Sequence, residues 1–201
     1  MNILLIHGLG RTPLSLWGLA NKLKKAGHHT EFFGYATVFQ SFDDIADKLR
    51  DRLRTLSKLG PYGIVSHSLG GVITRAALAA IDFPPPAHIV MLAPPNQSPL
   101  AARVANKLFP FRWFAGQSGH NMATPAFYAQ LPALSCPYTL IAGVMGPTGS
   151  LSPFANTPND GIVSLDEVRM KPTDEVVQVS TLHTFVMNNP KVQQVTVAAF
   201  T

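Results

Sequence analysis

The 201-residue sequence reads as an α/β fold in three layers, α/β/α, around a mostly parallel central sheet of about six strands. Three observations carry that reading. Short apolar runs free of charge alternate with helix-length segments, the rhythm of a parallel sheet covered on both faces. The composition, 46% hydrophobic and 13% charged, fits a compact apolar domain over residues 1–201 and excludes a solvated disordered chain. No apolar run reaches the roughly 18 residues that crossing a bilayer requires.

The elements follow in order. Asn2 to Ile6 is a short continuous apolar run, a strand buried on both faces, and the glycine-rich turn His7-Gly8-Leu9-Gly10 comes directly after it. A helix from about Ser15 to Ala26 ends at Gly27, and the aromatics of Thr30 to Tyr35 suit a second strand. Phe42 to Lys58 is the clearest amphipathic helix. Ile45, Leu49, Leu53 and Leu56 fall at helical spacing, Ser41 and Asp44 form an S-x-x-D start, and Gly60-Pro61 stops it. Tyr62 to Val65 is a third strand, and Leu69 to Ile81 a helix closed by three prolines at 84–86. Strands at Ala87 to Leu92, Tyr138 to Ala142 and Val176 to Val179 follow, then a final helix from Asn189 to Phe200 with Pro190 in its first turn. Two segments break the rhythm. Residues 94–134 form an insertion with one helix, Leu100 to Leu108, and the aromatic cluster Phe109-Pro110-Phe111-Arg112-Trp113-Phe114; residues 144–160 are rich in Gly, Pro, Ser and Asn. Long irregular insertions in a compact α/β domain are more often functional than decorative.

Charge and cysteine content narrow the function classes. Sixteen Lys and Arg against eleven Asp and Glu give a net charge of +5. The basic groups Lys22/Lys24/Lys25 and Arg50/Arg52/Arg54 lie on amphipathic helices, the second interleaved with aspartates, which makes them solvated faces rather than a nucleic-acid stripe. The single Cys136 excludes an internal disulfide framework and any multi-cysteine metal site. Met1 runs straight into the first strand with no basic region ahead of it, so a secretory leader is not expected and the cytoplasm is the expected location.

The chemistry gathers where strands end. In Ser66-His67-Ser68-Leu69-Gly70-Gly71, a serine squeezed into a strand-to-helix turn projects its Oγ out of the sheet, and the following amide sits at the positive end of a helix. Ser66 and Gly70 supply the small residues the folded-back backbone needs two positions either side, with Ser66 in place of the usual first glycine. Gly8 and Gly10 let the Leu9 amide face a neighbouring pocket, as a donor to a developing oxyanion. A dinucleotide fingerprint is the rival for that turn, but Pro13 stands where its third glycine belongs and no Gly-Lys-Ser/Thr triplet occurs. No cofactor is expected.

A nucleophilic serine needs a base, and the base a carboxylate that fixes its tautomer. In the order Ser, acid, His, the base is one of His88, His120 and His183. His88 precedes its strand, at the wrong edge of the sheet; His120 lies in the insertion; His183 follows the last strand at the right edge. Among the acids, Asp82 lies at the far end of a helix and Asp174 and Glu175 precede the last strand. Asp160, in Asn159-Asp160-Gly161, ends the loop after a strand, with Asp166 and Glu167 as fallbacks.

With Ser68, Asp160, His183 and His7-Gly8 in this order, the chain resembles the α/β-hydrolase family, in particular its compact lipase and esterase branch without a large cap. The resemblance spans nearly the whole chain. It implies Ser68 as nucleophile, His183 as general base and acid, Asp160 as orienting carboxylate, and the amides of Leu9 and Leu69 as oxyanion donors. His67 matches a frequent family residue without a catalytic role there. The expected activity is metal-independent hydrolysis of a small ester with an apolar acyl group. A thioesterase acting on acyl-CoA or an acyl carrier protein, to which the positive charge is congenial, and a non-catalytic binding protein are the alternatives. Phe111, Trp113 and Phe114 either plug the core or form an acyl-pocket wall or small lid over Ser68.

Overall fold

The computed structural model describes residues 1–79, 81–100, 124–150 and 152–201. Six strands, β1 (Asn2–Ile6), β2 (His29–Phe33), β3 (Tyr62–His67), β4 (His88–Leu92), β5 (Tyr138–Gly143) and β6 (Val176–Val179), form one sheet in the order β2-β1-β3-β4-β5-β6. All five pairings are parallel, so the mostly parallel sheet expected is wholly parallel among the described residues.

Because successive side chains of a strand point to opposite faces, each central strand feeds two cores. Leu4, Ile6, Ile64, Ile89 and Met91 pack under α2 (Phe42–Ser57) and α3 (Leu69–Ala77). Ile3, Leu5, Val65, Val90 and Leu92 pack under α1 (Trp17–Lys25) and the C-terminal helix. The start of α2 has the reciprocal cap its sequence announces: Asp44 N–H donates to Ser41 Oγ at 3.1 Å, and Ser41 N–H donates to the Asp44 carboxylate at 3.4 Å.

Element ends differ from expectation where tertiary demands intervene. The third strand runs on through Ser66 and His67, pairing them with Met91 and Leu92, because both faces there are buried and the ladder needs those residues whatever their polarity. Helix α3 stops at Ala77 rather than Ile81. The residues after it carry the chain to β4, where Ala87 N–H donates to Tyr62 O at 2.8 Å and the Tyr62 hydroxyl to Pro84 O at 3.0 Å. Two short helices lie beyond the sequence expectation: α4 (Pro125–Gln130), with proline in its first turn, and α5 (Leu165–Val168), opened by a Ser164–Glu167 capping box. The last helix, α6, spans Pro190–Ala198, and a 3₁₀ turn, His183–Asn188, precedes it. The expected helix at 100–108, beyond Leu100 itself, and the aromatic cluster lie outside the described residues.

The strand order also locates the site. After β1 the chain turns to one edge to build β2, then returns to place β3 on the other side of β1. Loops leaving β1 and β3 therefore diverge to opposite faces, which opens a crevice at their C-terminal ends, where open α/β sheets bind ligands.

Candidate active site

Ser68 is the residue between β3 and α3. Its backbone has φ 52° and ψ −122°, a left-handed conformation that costs an L residue on the order of 1–3 kcal/mol. The surroundings impose it. Ser68 N–H donates to Leu92 O at 2.9 Å, extending the β3–β4 ladder one residue beyond the strand, and Gly71 N–H donates to Ser68 O at 2.8 Å. The turn is so tight that α3 touches the end of β1. A methyl at Gly70 would lie 2.6 Å from His7 O and 2.8 Å from Ile6 O, both rigid backbone atoms. Ser66 is fully buried, and its hydroxyl finds no hydrogen-bond partner. The Ser68 hydroxyl makes no capping bond to its own helix and points elsewhere.

It points at His183. Ser68 Oγ lies 2.9 Å from His183 Nε2, and His183 Nδ1 lies 2.7 Å from Asp160 Oδ2. All three side chains are buried. Asp160 Oδ1 accepts the amides of Ile162 (3.0 Å) and Val163 (2.8 Å). A carboxylate only accepts, so Nδ1 carries the imidazole proton, Nε2 presents its lone pair, and the serine O–H donates to it. The backbone locks the pair together, since His183 N–H donates to Asp160 O at 3.0 Å.

Asn159 holds the acid loop. It is fully buried, its Nδ2 donates to Pro147 O and Thr157 O, and its Oδ1 accepts Gly161 N–H. The Asn-Asp-Gly triplet was visible in the sequence, but only the fold shows that the asparagine knits the 144–160 loop to the carboxylate's own turn. The fallback acids are engaged elsewhere. Asp166 pairs with Arg169 at the surface at 2.7 Å, and Glu167 accepts the amides of Ser164 and Leu100. Asp82 pairs with Arg54, and Asp174 accepts the Tyr138 hydroxyl. His88 opens β4 at the opposite sheet edge, bonded to Thr139 Oγ1 at 2.9 Å.

The β1 turn closes the other side of Ser68. Gly8 is pressed into it: a Cβ there would meet Ser68 Cβ at 3.0 Å and His67 Nδ1 at 2.9 Å. Leu9 follows directly, and Leu69 is the first residue of α3, whose opening amides have no partner within the helix. His7 shapes this turn. Its ring stacks on Tyr35 at 4.2 Å, Nδ1 donates to Gly8 O at 2.9 Å, Nε2 accepts Tyr35 N–H at 3.3 Å, and the Tyr35 hydroxyl donates to His7 O at 2.8 Å. Nothing in the sequence pairs Tyr35 with His7; parallel pairing of β1 with β2 brings them together. Burial lowers the His7 pKa and raises that of the Tyr35 phenol. Arg11 ties this turn to the one that carries His183 by donating to Thr184 O at 2.6 Å.

His67 fills the space between the two loops. Its Nε2 donates to His183 O at 3.2 Å, its ring lies 5.0 Å from that of His183, and its Nδ1 is buried without a partner against Gly8. Burial first, and the neighbouring His183 second, hold its pKa well below 6.5. Phe111, Trp113, Phe114 and His120 lie outside the described residues.

A buried serine on a strained strand-to-helix turn, backed by an imidazole and a carboxylate at the C-terminal edge of a parallel sheet, is the arrangement of an α/β hydrolase. The chain belongs to the alpha/beta hydrolase family, whose model matches residues 3–187. Among solved structures it is similar to the mature form of the lipase BlEst2 from Bacillus licheniformis, with 17% identity over 99% of this chain and 91% of that one and a TM-score of 0.78. It is similar to an extracellular alpha/beta-hydrolase from a Paenibacillus species, at 18% identity over 99% and 98% with a TM-score of 0.66. The RedJ thioesterase of Streptomyces coelicolor is matched at 13% identity over 99% and 84%, with a TM-score of 0.61. At these identities the likeness is one of fold. No curated protein matches the chain by sequence. Among the described residues, no helix is long and apolar enough to cross a membrane.

Proposed function

We propose that this protein is a serine carboxylesterase of lipase-like type, which cleaves small carboxylic esters with apolar acyl groups through an acyl-enzyme on Ser68. The observation that carries the reading is the unbroken relay from Ser68 Oγ to His183 Nε2 and from His183 Nδ1 to Asp160, at 2.9 and 2.7 Å. Ser68 Oγ attacks the ester carbonyl carbon while its proton passes to His183 Nε2. Asp160 steadies the imidazolium that results, and the amides of Leu9 and Leu69 hold the tetrahedral oxyanion. Collapse breaks the bond to the alcohol oxygen, which leaves with the proton from His183. Water, deprotonated by the same nitrogen, then attacks the acyl-enzyme; the acid departs and Ser68 recovers its proton.

Thioesters pass through the same oxyanion, so the test runs p-nitrophenyl esters and acyl thioesters of graded chain length side by side. Ester kcat/KM above that for the matched thioester supports the carboxylesterase reading. Preference for the thioester turns it to a thioesterase, and inertness toward both with the fold intact contradicts a hydrolase function.

A further inference from the structure

One cavity adjoins the proposed oxyanion loop without belonging to the relay. It measures about 320 Å³, at the lower end of the range for small-molecule sites, and Leu9, Tyr35, Val38 and Phe39 form its apolar wall, with His7, Arg11 and Thr12 also in the lining. Leu9, in the lining, directly follows Gly8, which is packed so closely on Ser68 that a Cβ there would lie 3.0 Å from Ser68 Cβ. Phe39 and Val38 are 87% and 46% exposed, so the fold leaves most of the Phe39 ring and nearly half of Val38 open to solvent beside the cavity. A larger cavity, of about 570 Å³, has Arg75, Asn96, Gln97 and Glu167 in its wall and offers an alkyl chain poor company.

Direction decides which half of the ester enters. His183 returns its proton to the leaving oxygen, so the alcohol must lie on the histidine's side. The turn that carries His183 packs through Val186 and Met187 into the core layer beneath α1 and α6. Leu9 and Tyr35 pack against the opposite layer, beneath α2 and α3. With the carbonyl oxygen on the Leu9 and Leu69 amides and the alcohol toward His183, the remaining substituent is aimed past Leu9.

We propose that the cavity walled by Leu9, Tyr35, Val38 and Phe39 seats the apolar acyl chain of the substrate, an inference that rests on the esterase reading above. The test compares Val38→Trp, which fills the cavity, and Phe39→Ala, which strips its rim, with Leu59→Ala, an exposed apolar residue beyond the end of α2. Each is assayed on p-nitrophenyl acetate and octanoate, and on acetate esters of short and long alcohols, with melting temperatures alongside. Val38→Trp is expected to lower the octanoate-to-acetate ratio of kcat/KM about tenfold or more. Phe39→Ala should move it the same way, Leu59→Ala not at all, and the alcohol series should keep its wild-type order. An unchanged acyl ratio in both Val38→Trp and Phe39→Ala, or a change confined to the alcohol series, overturns the proposal while leaving the esterase reading standing. Should Val38→Trp fail to fold, Phe39→Ala decides alone. A wild-type protein inert to every ester overturns both.

Discussion

Asp160 receives three N–H donors on its two oxygens: the His183 ring and the amides of Ile162 and Val163. An amide in its place has only one oxygen, and its NH₂ would meet a donor, so the imidazole is driven to the tautomer with its proton on the wrong nitrogen. Asp160→Asn should therefore lower kcat by about 10⁴-fold with the fold retained, measured by steady-state ester hydrolysis and circular dichroism. Loss of that size from Asp166→Asn or Glu167→Gln instead would contradict the assignment. The sequence singled out Ser68, His183 and Asp160 as candidates because chain order and the C-terminal edge of the sheet left few others, and the fold brings the three within hydrogen-bond reach. It did not expose Tyr35, Asn159 or Arg11 as supports. Their partners lie on separate loops or are backbone atoms, and such pairings leave no periodicity or spacing to read.

Between elements, the turn at Ser68 is a geometric conflict that a single residue absorbs. Strand β3 and helix α3 both end on Ser68, and their hydrogen bonds force a positive φ on a residue with a Cβ. Replacing the serine by alanine removes the hydroxyl and keeps the strain; replacing it by glycine removes both. Ser68→Gly should then be more stable than Ser68→Ala by about 1 kcal/mol, the relief of strain exceeding glycine's entropic cost, and both should be inactive. Denaturant unfolding of the two variants measures the difference. Central elements were readable because apolar runs buried on both faces have no other explanation, whereas the extent of β3 and α3 was not. Ser66 and His67 are polar but belong to the ladder, and α3 ends where the return to β4 requires, not where its apolar pattern fades. The Ser164–Glu167 box at α5 carries the same S-x-x-acid spacing that marks α2, but only four helical residues follow it, too few to show an apolar period.

Among the described residues, the candidate site lies where the strand order reverses direction, between β1 and β3. Wedging His67 between loops from different layers has a consequence for stability. Burial lowers the pKa of His67 and of His7 in the folded protein. The unfolded chain thus binds more protons than the folded one as pH falls through the ordinary histidine value of 6.5, and stability falls with it. The stabilising contribution is fully present above that value and is lost as pH drops toward the folded-state values. The melting temperature should decline from pH 7.5 to pH 5, and His67→Gln should flatten the decline. A melting temperature that holds or rises over that interval would mean that these imidazoles are not kept neutral by the fold.

All of the proposed chemistry rests on Ser68 as the nucleophile. Treatment of the folded protein with a fluorophosphonate, followed by peptide mapping, tests it most directly. A single covalent adduct on Ser68 is expected, formed in step with loss of ester hydrolysis and absent from Ser68→Ala. An adduct that persists in Ser68→Ala, or a folded wild-type protein that takes up none, would contradict it.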